Sequence, residues 1–378
     1  VTHPEPPFTL GIEEEYHLVD RASRDLAVEP PPELLQRCKA RLADQVSPEF
    51  LKAQIEVGTR VRSSLAEAQA DLALLRRAVA EVAGEYGLAP IAAATHPFAQ
   101  WSAQKPSDGP RYSVLARDLQ MVGRRLVICG MHVHIGIPDE DLRIDLMNQA
   151  TYFLPHLLAL SASSPFWRGT DTGLKSFRLS VFNGLPRTGL PERFDSWGEY
   201  QRHVRTLTEA GLIEDASKLW WDLRPSARFP TLELRITDIP TRLDDTITLA
   251  ALFRCLIRML WRLRRANQRW RIYPHMLINE NRWRAQRYGI EEGLVDFGRG
   301  QIVPMADLVE ELLVELAEDA AHFGCETELL RLRNILAEGT SADRQRRVHR
   351  QALADGATDH DALCAVVDHL IAETVAGL

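Results

Sequence analysis

Four stretches of this chain alternate apolar and polar residues with the two-residue period of a half-buried β-strand. In residues 8–20, Phe8, Leu10, Ile12, Tyr16 and Leu18 point one way, and Thr9, Gly11, Glu13, Glu15 and His17 point the other. Residues 53–61 set Ile55 and Val57 against Gln54, Glu56 and Gly58. Residues 128–137 set Ile128, Met131, Val133, Ile135 and Ile137 against Gly130, His132, His134 and Gly136. Residues 231–238 set Leu232, Leu234 and Ile236 against Thr231, Glu233, Arg235 and Thr237. A shorter alternation over 176–182 places Arg178 and Ser180 opposite Phe177, Leu179 and Val181. One such strand is ordinary, because a half-buried strand is polar on one side. Four whose polar sides carry mostly carboxylates, imidazoles and an arginine predict a sheet whose open face is a site of chemistry.

Helical periodicity supplies the second layer. Residues 64–86 carry Leu65, Ala68, Leu72, Leu75, Val79 and Val82 at helical spacing, open on Ser64 with Glu67 three residues later, and stop at Gly87. A short helix over 32–43, a strand over 88–94 and an irregular loop over 95–112 follow from the Pro, Gly and Ser content. Residues 139–163 and 244–271 each predict one helix, and beyond Pro304 the pattern gives helices only, over 305–322, 326–338, 341–355 and 359–375. Strands interleaved with long helices make the fold α+β, as one domain over 1–378 whose helical C-terminal portion starts near 304.

Composition narrows the class. The chain has 378 residues, is 45% hydrophobic, and holds no apolar run approaching the roughly 20 residues that span a bilayer. Its first residues, VTHPEPPF, lack a basic stretch followed by an apolar one. Cys38, Cys129, Cys255, Cys325 and Cys364 are odd in number and widely spaced, which favours reduced thiols. A cytoplasmic enzyme without a membrane partner is expected. The net charge of −7 argues against nucleic acid. The stripe Arg254, Arg258, Arg262, Arg265 and Arg269 is expected to be a solvated face paired with acids. Trp220 and Trp221 are expected in the core or a pocket wall, and His96 and His156 remain unassigned.

Glu13 and Glu15, two apart on one face, repel unless a cation lies between them, and hard divalent cations take oxygen ligands. Glu13, Glu15, Glu56, Glu233 and His132 form an oxygen-rich set with one imidazole, suited to Mg²⁺ or Mn²⁺ rather than to structural zinc. So many acids imply more than one ion. No GxxxxGK[ST] or GxGxxG fingerprint precedes a helix, so a nucleotide would be held through metal-bridged phosphates and arginines. Arg235 shares the face of Glu233, and its planar fork suits a transferring phosphoryl group. Arg178 and His134 are, from facing direction, candidates for substrate contacts.

The stretches GIEEEY (11–16), IEVGTRV (55–61), THPF (95–98), RY (111–112), GMHVHIG (130–136), LSASSPFWRGTDTG (160–173), WWDLRPS (220–226), LELRITDIP (232–240) and RYG (287–289) together resemble the carboxylate-amine ligases of the glutamate-cysteine ligase type 2 family. The resemblance implies a glutamine synthetase-like fold, an antiparallel sheet with an open active-site face and helices on the other. It implies that Glu13, His132 and Glu233 hold the metal bridging the nucleotide phosphates, and that Glu15 and Glu56 hold the metal nearer the substrate carboxylate. The implied reaction activates a carboxylate, that of glutamate, with ATP as an acyl phosphate, which an amine such as that of cysteine then captures as an amide. Self-association is common on related folds. A guanidino-type phosphotransferase, or a metal- and nucleotide-binding relative without turnover, would show many of the same residues. Glu14 departs from the pattern by falling on the apolar face, where it is expected to reach the rim, pair with an arginine, or stabilise the protein when replaced by Leu.

Overall fold

The computed structural model describes residues 4–378, with the side chains of Pro110, Arg111 and Leu115 outside that description, so Arg111 of the RY pair is not placed. A seven-stranded antiparallel sheet organises the chain. Its strands are β1 (Leu10–Asp20), β2 (Val46–Pro48), β3 (Gln54–Gly58), β4 (Leu88–Ile91), β5 (Met131–Gly136), β6 (Leu223–Pro225) and β7 (Thr231–Leu234). Across the sheet they run β6-β7-β5-β1-β3-β2, with β4 pairing the second half of β1.

The alternation seen in the sequence is obeyed on both faces. Ile12, Tyr16, Ile55, Val57, Met131, Val133, Leu232 and Leu234 are all buried on the apolar side. The α-helices up to Arg265 are, in chain order, α1 (Pro32–Leu42), α2 (Leu65–Gly84), α3 (Pro110–Arg124), α4 (Glu140–Ala150), α5 (Leu154–Ser161), α6 (Arg178–Phe182), α7 (Trp197–Glu209) and α8 (Leu243–Arg265), and α2, α4 and α8 cover the apolar side. Helix α2 opens with the expected capping box, in which the Ser64 hydroxyl accepts from the Glu67 amide and the Glu67 carboxylate accepts from the Ser64 amide. Such a cap contributes about 1 kcal/mol. Gly87, at φ +71°, follows in a left-handed conformation that other residues avoid.

Several element boundaries differ from the sequence reading, for local reasons. Residues 176–182 are not a strand: Arg178–Phe182 is one short helix turn, and seven alternating residues are too few to separate the two periods. The helix expected over 139–163 is broken by a tight turn at Thr151–Phe153, where Pro155 can neither donate to nor tolerate the carbonyl four residues earlier. The long helix ends at Arg265 rather than 271, with Asn267 at φ +58°. The loop expected to run through residue 112 gives way at Pro110 to a helix over Pro110–Arg124, which has proline in its first turn. β7 ends at Leu234, since the amides of Arg235 and Ile236 both turn to the Asp222 carbonyl. The C-terminal part is helical from Met305 as expected, apart from breaks near Leu316 and Arg331.

The arginine stripe on α8 pairs with acids but is not a solvated face throughout. Arg258 is buried between Glu5 and Asp319, Arg262 reaches Asp319 and Glu318, and Arg254 is buried on the carbonyls of Phe8 and Ser63. Among the described residues no helix is long and apolar enough to cross a membrane, and all five cysteines are free thiols.

Candidate active site

Strand register assembles the polar face. Across β1 and β5, Glu13 lies opposite His132; across β5 and β7, His134 lies opposite Glu233. Glu15 opposes Glu56 on β3, which in turn opposes Ser47 on β2, and Arg224 on β6 opposes Glu233. Directly paired residues share a face at about 5 Å. The sequence candidates Glu13, Glu15, Glu56, His132, His134, Glu233 and Arg235 therefore line one polar cavity of about 520 Å³.

Two three-residue groups on this face present ligand atoms within 4.8 Å of one another: Glu13 with His134 and Glu233, and Glu15 with Glu49 and Glu56. The first group takes His134, read from the sequence as a substrate contact, while His132 holds its Nδ1 3.2 Å from the other side of Glu13. Both imidazoles leave Nε2 buried and without a hydrogen-bond partner, the state of a nitrogen that can ligate an ion. The second group includes a residue the sequence reading missed. Glu49 sits in the connection after the three-residue β2, outside any alternation that could have marked it.

Electrostatics divide the face into two halves. Burial pushes the Glu13 carboxyl up, but the His132 hydrogen bond and the neighbouring His134 imidazole outweigh it and hold Glu13 well below the usual carboxylate range. Burial likewise opposes ionisation of Glu233, yet Arg235 and Arg224 keep it far below that range. Arg224 grips Glu233 with two parallel bonds, Nε to Oε2 at 2.9 Å and Nη2 to Oε1 at 3.1 Å, and Arg235 Nη1 donates to the same carboxylate. On the other half, burial and the Glu49 carboxylate push Glu15 up to about 7, and burial with Glu49, Glu13 and Glu15 raises Glu56 well above normal. Among the described residues no cation bonds the three carboxylates of that half: Glu15 accepts from the Gly130 amide at 2.6 Å and Glu56 from the Ser47 hydroxyl at 3.1 Å. An oxygen-rich cluster short of positive charge fits a divalent ion.

Arg178 is placed differently from the expectation. It is buried on the short helix turn, and its guanidinium donates to the carbonyls of Arg235 and Ile236 at 3.3 Å. It also lines a small cavity of about 140 Å³ with Glu15, Glu49 and Trp220. Gly130 permits this packing, since a Cβ there would lie 2.4 Å from Arg178 Nη2. Arg224 is the second residue missed in sequence, and its signal was its place in a strand beside Glu233. Trp220 does line the pocket, Trp221 is in the core, and His96 is held structurally by the Arg24 carbonyl and the amides of Phe98 and Ala99.

The profile described as Glutamate-cysteine ligase family 2 matches residues 9–368. The chain belongs to this family. A protein of Rhodospirillum rubrum named "Putative glutamate–cysteine ligase 2" is 65% identical over 99% of this chain and 97% of its own length. One of Jannaschia sp. with the same name is 57% identical over 96% of both chains. Among solved structures, a glutamate–cysteine ligase of Francisella tularensis in complex with AMP superposes with TM-score 0.69 at 12% identity, over all of this chain and 90% of that one. A bifunctional glutathione synthetase of Pasteurella multocida does so with TM-score 0.69 at 16% identity, over 97% of this chain, which spans 52% of that larger protein. Those two likenesses are of fold, and they agree with the α+β architecture expected from the sequence. As a glutamate-cysteine ligase family member the protein is an ATP-dependent ligase, in a family that works with ATP and divalent metals.

Proposed function

We propose that this ligase joins the side-chain carboxylate of glutamate to the amine of cysteine, or of a similarly small amino acid, through an acyl phosphate. The observation that carries the reading is the adjacency of two carboxylate clusters with Arg235 acting on both. Arg235 bonds Glu233, and its charge is felt by Glu13 and Glu15. Two neighbouring metal-competent clusters of opposite charge balance suit a reaction that brings a polyphosphate and a carboxylate together.

Glu13 and Glu233, with the imidazoles of His132 and His134, would hold one divalent ion, and Glu15, Glu49 and Glu56 a second; Mg²⁺ or Mn²⁺ matches the donors. When bound, such ions supply positive charge to the nucleotide phosphates and the substrate carboxylate. An apolar cavity of about 560 Å³, walled by Val61, Pro138, Phe229 and Pro230, adjoins Glu13 and His134 and offers a slot for the purine base. A substrate carboxylate oxygen attacks the γ-phosphorus of ATP, the bond to the β-phosphate oxygen breaks, and ADP leaves. The amine nitrogen then attacks the acyl carbon, phosphate departs, and the nitrogen loses a proton. Arg235 neutralises charge on the phosphoryl oxygens during the transfer. Arg178 holds the backbone that carries Arg235, and it reaches the substrate side only through the small cavity it lines with Glu15. A cytoplasmic setting is supported by the five free thiols.

The test is ADP release with ATP, Mg²⁺ and glutamate across a panel of amines, with the amide identified by mass. ADP with γ-glutamylcysteine upholds the reading. ADP with a phosphorylated guanidine and no amide would assign a guanidino-type phosphotransferase instead, and nucleotide binding without ADP would assign an inactive relative.

A further inference from the structure

A second cleft, about 730 Å³ in volume, lies outside the metal-competent face. It opens between the helix His275–Tyr288, the helix Ser341–Ala354 and the turn after Thr170–Asp171. Two stretches that stand out in the sequence, GTDTG at 169–173 and RYG at 287–289, meet here and have no part in the reaction above.

Five Lys and Arg side chains line the cleft against three acids, in a chain whose net charge is −7. The acids are already matched. Lys175, nearly buried, places Nζ 2.6 Å from Glu291 and also bonds Asp343, while Arg346 reaches Asp171 at 2.5 Å. The remaining three guanidiniums, of Arg287, Arg347 and Arg350, have no carboxylate partner among the described residues. Arg287 donates to the Gly173 carbonyl, Arg347 to that of Glu338 at 2.9 Å, and Arg350 to that of Arg346 at 3.3 Å. A carbonyl carries only a partial charge, so the cations exceed the carboxylates lining this one concave surface by two. The three guanidiniums stand on two helices on opposite walls, and each planar fork has N–H groups left to donate. Guanidinium groups in such an arrangement recognise phosphate oxygens bidentately.

We propose that this cleft is a binding site for a compact phosphate-bearing polyanion, separate from the nucleotide site and independent of divalent metal. Arg287 and Arg350 grip it from the two walls, and Arg347 adds charge at the mouth. The inference stands whether or not the ligase reaction proposed above is right, because it uses none of the same residues.

The experiment is calorimetric titration of the full chain with inorganic pyrophosphate in EDTA at low ionic strength. EDTA removes the divalent ions through which the catalytic face would hold phosphates. The wild type is expected to bind at one site, with affinity falling as salt is raised. Arg287→Ala/Arg350→Ala is expected to weaken binding by about tenfold or more, by the loss of two charge-assisted contacts. Arg347→Ala/Arg350→Ala, which alters exposed side chains only and so spares the fold, is expected to weaken it in the same direction. Arg235→Ala, on the catalytic face, is expected to leave it unchanged. Absence of binding to the wild type, wild-type affinity in both cleft variants, or loss of binding in Arg235→Ala would each overturn the proposal.

Discussion

Glu14 and Arg76 form an ion pair with both side chains wholly out of solvent, Arg76 Nη2 2.6 Å from Glu14 Oε1 and Nε 2.8 Å from Oε2. Tyr16 and Thr246 donate their hydroxyls to the same carboxylate, and Arg76 also reaches the carbonyls of Pro240, Thr241 and Thr374. Of the outcomes open to Glu14 from the sequence, pairing with an arginine is the one found. The pair fastens the back of β1 to α2 at the residue between Glu13 and Glu15.

Breaking it should be costly, because a buried guanidinium without its partner keeps its desolvation penalty. Glu14→Leu is expected to lose about 3–5 kcal/mol in urea unfolding. A variant as stable as the wild type would show that the pair does not hold the strand.

Glu13 is bonded by one imidazole and lies 3.6 Å from the other, so removing its charge touches every partner in its group. Glu13→Gln, near-isosteric and neutral, is expected to weaken metal–nucleotide binding by at least about tenfold with little change in Tm. Calorimetry that finds the affinity unchanged would remove Glu13 from the ligands.

Arg235→Lys retains a charge but loses the fork. Turnover is expected to fall by about 10²–10³, as for loss of a donor that acts in the transition state, while KM for ATP moves little. Wild-type kcat in this variant would exclude Arg235 from the transfer step.

The half of the face holding Glu15 should make metal binding depend on pH. Glu15, raised to about 7 by burial and Glu49, keeps its proton in the folded protein at pH values where an ordinary carboxylate has lost it. A metal must displace that proton and the one Glu56 keeps, so affinity is expected to rise with pH through about 7 and level off once both carboxylates are ionised, with proton release seen as a buffer-dependent enthalpy. Glu49→Gln removes one cause of the shift. Its plateau affinity should be lower, for want of a ligand, and its rise should move to lower pH. A flat profile between pH 5 and 8 in the wild type would contradict this account.

Period-two alternation was enough to find Glu13, Glu15, Glu56, His132, His134 and Glu233, because a strand with one buried face leaves its register no freedom and sends every second side chain to the other side. The same alternation set Glu14 on the apolar face, and helical spacing with a capping box placed α2 beside it. What the sequence could not contain was partnership across the fold. Arg76 lies 62 residues from Glu14, and nothing local to either marks the match. Glu49 and Arg178 owe their positions to a loop and a single helical turn, elements without a period, and so only the packed chain decided that one joins Glu15 while the other braces Arg235. His17 shares the side of Glu13 and Glu15 yet is fully buried, because that end of β1 pairs with β4 and is covered. Alternation fixes which way a side chain points; whether it then meets water, a metal or another side chain is settled by what the rest of the chain lays over it.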